Sequence, residues 1–135
     1  MRIAFGTDEQ TAVSDAVQAH LRAAGHDVDT LVDGGPWPEV GRLVGEAVAT
    51  GSAEMGVVCC WTGTGVSIAA NKVDGIRAAL CTDADTARGA RRWNDANVLA
   101  LGLRLTSETV AAELLDAFLS TEPDPDEVPL FEQLR

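Results

Sequence analysis

Short apolar runs alternate along the chain with longer stretches in which apolar positions recur every three or four residues. This is the pattern of a parallel sheet covered by helices. RIAF (2–5) predicts a first strand that ends at Gly6. Val13, Val17 and Leu21 are spaced for one face of a helix over 11–24, with Gly25 as its stop. HDVDTLV (26–32) alternates partially and predicts a second strand. GGPWP (34–38) predicts a loop, and Val40, Leu43, Val44 and Val48 predict the helix after it. MGVVCC (55–60) is the clearest central strand, apolar throughout and β-branched in its middle. IRAALC (76–81) and NVLALG (97–102) predict two more, separated by a helix over 84–92. A last helix begins after Thr106 or Ser107, both suitable N-caps, and carries Leu114, Leu115 and Phe118.

The implied architecture is a Rossmann-like three-layer α/β/α domain over residues 1–120, with a five-stranded parallel sheet. Residues 121–135 form an acidic, proline-containing tail, expected to be extended and to pack on a partner subunit. Sheets of this kind bind ligands beyond the carboxyl ends of their strands. Three polar clusters fall on that edge: Thr7-Asp8-Glu9, Cys60 to Gly65, and Thr82-Asp83.

Composition narrows the possible roles. The formal charge of −11 disfavours nonspecific attraction to nucleic acid or an anionic membrane, both of which are polyanionic. No apolar run approaches the roughly 20 residues that cross a bilayer. The start, MRIAFGTDE, lacks the apolar stretch and cleavage site of a secretory signal, so a cytoplasmic location is expected. The three cysteines, Cys59, Cys60 and Cys81, fit neither a disulfide framework nor a C-x-x-C metal pattern.

The segment CWTGTGVSIAANK (60–72) carries the candidate chemistry. Thr62, Gly63, Thr64 and Gly65 at a helix start would aim several backbone N–H groups and the positive end of the helix dipole at one point. The same glycines would equally serve a steep strand-to-helix turn. No Gly-Lys-Ser/Thr follows, which excludes a Walker loop, and the third glycine of a dinucleotide fingerprint is missing. Cys60, just before these donors, is a candidate general base; a small core cysteine is its plain alternative. Cys59 should point to the opposite face and be inert. Asp8 and Glu9 could hold sugar hydroxyls or merely form a solvated turn and cap. The run RGARRWN, Arg88 to Asn94, is the only dense positive patch, which could bind an anion or pair with surplus carboxylates. His20 and His26 lie away from the proposed edge.

IAFGTDE, CWTGTGVSIAANKVDGIRAALC, WNDANVLALGLR and the helix ending in FLSTE together resemble the ribose-5-phosphate isomerase B and galactose-6-phosphate isomerase family. The resemblance implies an aldose–ketose isomerase working through an enediolate, without metal or organic cofactor. It also implies a homodimer, possibly arranged further as a tetramer, with active sites between subunits. Cys60 matches the family's catalytic base, and Thr62 with the N–H groups of Gly63, Thr64 and Gly65 matches its enediolate-stabilising loop. Asp8 and Asn94 match substrate contacts, and Arg104 a phosphate contact across the dimer.

Four departures accompany the match. Glu9 and Trp93 stand where the family usually has histidines, the second of which opens the sugar ring. Trp61 replaces a glycine, and PDPDEVPLFEQ occupies the tail where arginines are expected. These changes imply altered specificity, with Glu9 or Asp83 as substitute acid and base, and Arg104, Arg88 and Arg91 as remaining anion contacts. Two tryptophans at the pocket, Trp61 and Trp93, would suit a smaller, less charged ligand. A second reading is a family member that binds a sugar without catalysis.

Overall fold

The computed structural model describes residues 1–134. The elements are β1 (Arg2–Thr7), α1 (Ala12–Ala23), β2 (Asp27–Asp33), α2 (Trp37–Ala49), β3 (Met55–Cys60), α3 (Thr64–Asn71), β4 (Ala78–Leu80), α4 (Ala84–Asn94), β5 (Val98–Gly102) and α5 (Glu108–Ser120). A 3₁₀ turn (Pro125–Glu127) and a short α6 (Val128–Phe131) follow. All strand pairs are parallel, in the order β2-β1-β3-β5-β4.

Alternate strand residues fill two apolar layers. Ile3, Phe5, Val57, Cys59, Leu99 and Leu101 pack with residues of α1, α4 and α5. Ala4, Val58, Cys60, Val98 and Ala100 pack with residues of α2 and α3 on the other side. Each fully buried Leu, Val or Phe contributes about 1.5–3 kcal/mol to holding the layers together. Helix starts follow the chain's own signals. Thr11 and Ser14 form a capping box on α1, Asp83 accepts from Thr86 N–H on α4, and Ser107, rather than Thr106, caps α5.

Three expectations need correction. Helix α2 starts at Trp37, with Pro36 as N-cap, so Trp37 and Pro38 are first-turn residues and not loop. Proline suits that turn because its missing N–H would be unpaired there anyway. Strand β4 has three residues instead of the six of IRAALC, and side chains take over the pairing at its start. Arg77 N–H donates to Asn97 Oδ1, and Ala78 N–H donates to Asn71 Oδ1. The tail is not extended: Asp124 caps the 3₁₀ turn, its own N–H donates to Arg92 O, and the turn and α6 pack along α4.

Candidate active site

β1 and β3 lie side by side, but the helices that follow them, α1 and α3, cover opposite faces of the sheet. The chain therefore parts at their carboxyl ends and opens a crevice. Asp8, Trp37, Cys60, Trp61, Thr62, Thr64 and Gly65 line a cavity of about 270 Å³ there.

The glycine loop forms the floor by close backbone approach. Gly63, the N-cap of α3, has φ +79°, and a Cβ on it would stand 2.8 Å from Gly102 N and Leu101 C. Only glycine meets both demands. The loop after β5 is stitched to this one: Leu103 N–H donates to Cys60 O (2.9 Å) and Arg104 N–H to Trp61 O (3.0 Å). Helix α3 has no side-chain cap, and Ser67 N–H donates to Gly63 O. The amides of Thr64, Gly65 and Val66 thus have no partner within the helix and form its positive end. Beside them the Thr62 and Thr64 hydroxyls share a 2.8 Å hydrogen bond.

Cys60 ends β3 with 4% of its surface exposed, on the face covered by α2 and α3. Cys59 points to the other layer, where burial above all, with Cys60 and Asp8 nearby, pushes its thiol far above the ordinary range. It is the inert partner, as the strand alternation requires. Asp8 N–H donates to Cys59 O, holding the end of β1 against β3. Its carboxylate oxygen Oδ1 is buried without a hydrogen-bond partner among the described residues. Burial first, and the neighbouring Glu9 second, raise the Asp8 carboxyl above the usual carboxylate range.

That shift carries a sign. Between the ordinary carboxylate pKa and the raised folded value, the native state binds the extra proton, so Asp8 makes stability fall as pH rises through that window. Asp8→Asn should therefore gain stability relative to wild type as pH rises across it. Urea melts of both proteins over mildly acidic pH check this; a constant difference would contradict it.

Other expected residues lie elsewhere. Glu9 is exposed and absent from the cavity lining; its backbone carbonyl accepts from Thr7 Oγ1 (2.7 Å). Trp93 and Asn94 line a separate hollow with Leu80, Cys81 and Thr86, and Trp93 folds back over Gly89 of its own helix. Asp83 serves as the α4 cap, where the hydrogen bonds to Thr86 lower its carboxyl pKa. Arg88 pairs with Asp85 on the surface of α4 (2.8 Å). Arg104 is exposed, and its backbone N–H ties it to the loop at Trp61 O.

Arg91 is a structural residue, contrary to its expected role as an anion contact. Its guanidinium is buried, donates to Thr121 O and Ala96 O, pairs with Asp95 (3.3 Å) and lies over the Phe118 ring. It is aimed into the core, and its Nε and Nη1 donors are taken up by these partners. Arg91→Ala would strand these acceptors and should cost about 3 kcal/mol, read in a denaturant melt.

Trp37 is the cavity residue that sequence reasoning missed. The signal was present: a tryptophan between two prolines directly after a Gly-Gly turn is rigidly placed whatever it faces.

The family model described as ribose/galactose isomerase matches residues 3–128. The chain belongs to this family. It is 38% identical over 133 residues to the galactose-6-phosphate isomerase subunit LacB of Clostridium acetobutylicum, covering 93% of this chain and 75% of that one. It is 38% identical over 129 residues to ribose-5-phosphate isomerase B of Escherichia coli, covering 90% and 85%. The D-erythrulose-4-phosphate isomerase of Pectobacterium atrosepticum is 34% identical over 128 residues, with 90% and 84% covered. Among solved structures, ribose-5-phosphate isomerase B of Clostridium thermocellum superposes with TM-score 0.90 at 37% identity, covering 98% and 94%. The five-stranded parallel sheet and its helices on both faces are thus the ribose/galactose isomerase fold.

Proposed function

We propose that the protein is a sugar-phosphate isomerase that interconverts an aldose and its ketose through an enediolate, with Cys60 as the proton carrier. The observation that carries this reading is the placement of the Cys60 thiol at the mouth of an uncapped helix start, in one cavity with Asp8. Nothing in the fold or the comparisons favours a silent binding subunit.

Each group then has a task. The sulfur of Cys60 takes the proton from the carbon beside the carbonyl, and the electron pair of that C–H bond becomes the C=C bond of the enediolate. The carbonyl π electrons move onto oxygen, and the amides of Gly63, Thr64 and Gly65 meet that developing charge. Preorganised donors aimed at developing charge cost no reorganisation at the moment of reaction. The hydroxyl pair of Thr62 and Thr64 is placed to pass a proton between the two enediolate oxygens, and the thiol returns its proton to the neighbouring carbon. The unpartnered Asp8 oxygen is available to a substrate hydroxyl.

The distal end of the substrate meets an altered setting. Among the described residues the cavity lining contains no cationic side chain; Arg104 lies beside it, and Glu9 stands on the adjoining loop. A short sugar phosphate in open-chain form fits this distribution, with Arg104 as the anion contact. Trp93 and Asn94 lie outside the Cys60 cavity of their own chain, which supports a homodimer whose second copy supplies them.

Subunit complementation tests the shared site. Cys60→Ala and Asn94→Ala should each be nearly inactive on four- to six-carbon aldose phosphates. Co-refolded in equal amounts, they should recover about one quarter of wild-type activity, since half the dimers are mixed and each mixed dimer rebuilds one of two sites. No recovery from folded mixed dimers would place the whole site within one chain.

A further inference from the structure

Trp37 lines two hollows at once. One is the Cys60 cavity; the other, of about 490 Å³, lies between α2 and α3 and includes Pro38, Ile68 and Val73 along with Arg42 and Lys72. An indole standing between two volumes acts as a wall if it is held in place, and three features hold this one.

The first is contact with the helix that carries the anion donors. A Cβ on Gly65 would lie 2.9 Å from Trp37 Cδ2 and Cε3, so the ring rests directly on the bare Gly65 backbone. The second is the helix crossing. Gly41, one turn after Trp37 on the same face of α2, allows the two helices to touch: its Cβ would stand 2.5 Å from Ala69 Cβ and 2.8 Å from Val66 O. The third is the connection into α2. Gly34 N–H donates to Thr7 O (2.9 Å) and Gly35 N–H to Asp8 O (3.0 Å), while Pro36 and Pro38 fix φ on either side of the tryptophan. The ring is therefore tied to both lips of the crevice although the residue as a whole is 45% exposed.

We propose that Trp37 is a specificity-determining residue: its indole separates the Cys60 cavity from the α2/α3 groove and limits the length of the substrate chain presented to Cys60. The proposal rests on the isomerase reading. With the ring in place, a short substrate is confined to the Cys60 side. Without it the two volumes join, and the anionic end of a longer chain gains a route to Lys72 and to Arg42, which shares the groove with its ion-pair partner Glu46 (3.3 Å). Loss of the wall should therefore favour longer substrates selectively.

The test compares Trp37→Ala with Trp37→Phe, both verified as folded by circular dichroism and thermal melts. The first readout is kcat/KM for a six-carbon aldose phosphate relative to a four-carbon one. The ratio should rise about tenfold or more in Trp37→Ala, in line with the discrimination a pocket wall supplies, and stay near wild type in Trp37→Phe. The second readout needs no turnover: alkylation of Cys60 by iodoacetamide and by a bulky pyrene maleimide, located by peptide mass spectrometry. The bulky-to-small rate ratio should also rise about tenfold in Trp37→Ala only. An active wild type with an unchanged substrate ratio in Trp37→Ala overturns the proposal, as does an unchanged alkylation ratio. A wild type that converts no sugar defeats the isomerase reading instead, and the alkylation ratio alone then upholds or overturns the wall.

Discussion

Replacing Cys60 with alanine is expected to lower kcat for aldose–ketose interconversion by about 10²- to 10⁴-fold, with little change in KM. Removing a positioned acid–base group costs that much when the remaining site is intact. The remainder should be intact here, because the loop is held by backbone contacts that do not involve the sulfur. Leu103 N–H and Arg104 N–H bond to the carbonyls of Cys60 and Trp61, and Gly63 lies against Gly102 whatever side chain stands at position 60. Thermal melts of the variant should accordingly stay within a few degrees of wild type. Serine at this position keeps the shape but lacks the sulfur's acid–base character, so Cys60→Ser should be impaired almost as much. Full activity in either variant, measured by NMR of the equilibrating sugars, would move the proton transfer to another group.

A large stability effect is also expected at Gly63. Alanine there meets two penalties: a left-handed backbone that L side chains resist, about 1–2 kcal/mol, and a Cβ driven into the Leu101–Gly102 backbone, about 1–3 kcal/mol more. Together they amount to about 3 kcal/mol, or a Tm lower by about 10 °C in a chain of this size. Gly25→Ala provides the control. Gly25 also has positive φ, at +90°, but no atom lies within 4 Å of its Cβ position, so only the first penalty applies. Differential scanning calorimetry on the two variants separates conformational strain from close approach. Equal losses would mean that the loop relaxes away from β5 without cost. Activity divides them as well: Gly63→Ala should displace the amides that face the thiol, while Gly25→Ala, at the far end of α1, should leave turnover unaltered.

The fold was legible because burial on both faces writes itself into strand sequences as continuous apolar runs. MGVVCC and NVLALG are short and rich in buried apolar residues, as such strands are, and the observed strands agree with them closely. IRAALC misled because its first residues are apolar enough for a strand but are paired by the side chains of Asn71 and Asn97, which no periodicity reveals. The tail misled for a similar reason. Its prolines and carboxylates read as extended chain, yet the same residues begin and cap a 3₁₀ turn against α4.

The site was legible in part. Asp8 and the Cys60-to-Gly65 loop follow adjacent strands, so the residues singled out by chemistry also meet in space. Arg91 shows where sequence falls short: a basic run looks like a surface patch, and only the packing of α4 on α5 turns one of its arginines inward over Phe118. Strand order was equally hidden. Because β5 lies between β3 and β4, the loop carrying Arg104 abuts the Cys60 loop, while Thr82 and Asp83 are displaced outward. Chain order alone would have placed β4 beside β3.

The most direct test of the central claim is the fate of the hydrogen beside the carbonyl when wild-type protein and Cys60→Ala convert aldose phosphates in deuterated water. Proton transfer through Cys60 predicts that wild type incorporates solvent deuterium at that carbon, observed by proton NMR, and that Cys60→Ala does not. Conversion with the original hydrogen fully retained, or deuterium uptake undiminished in Cys60→Ala, would contradict the account.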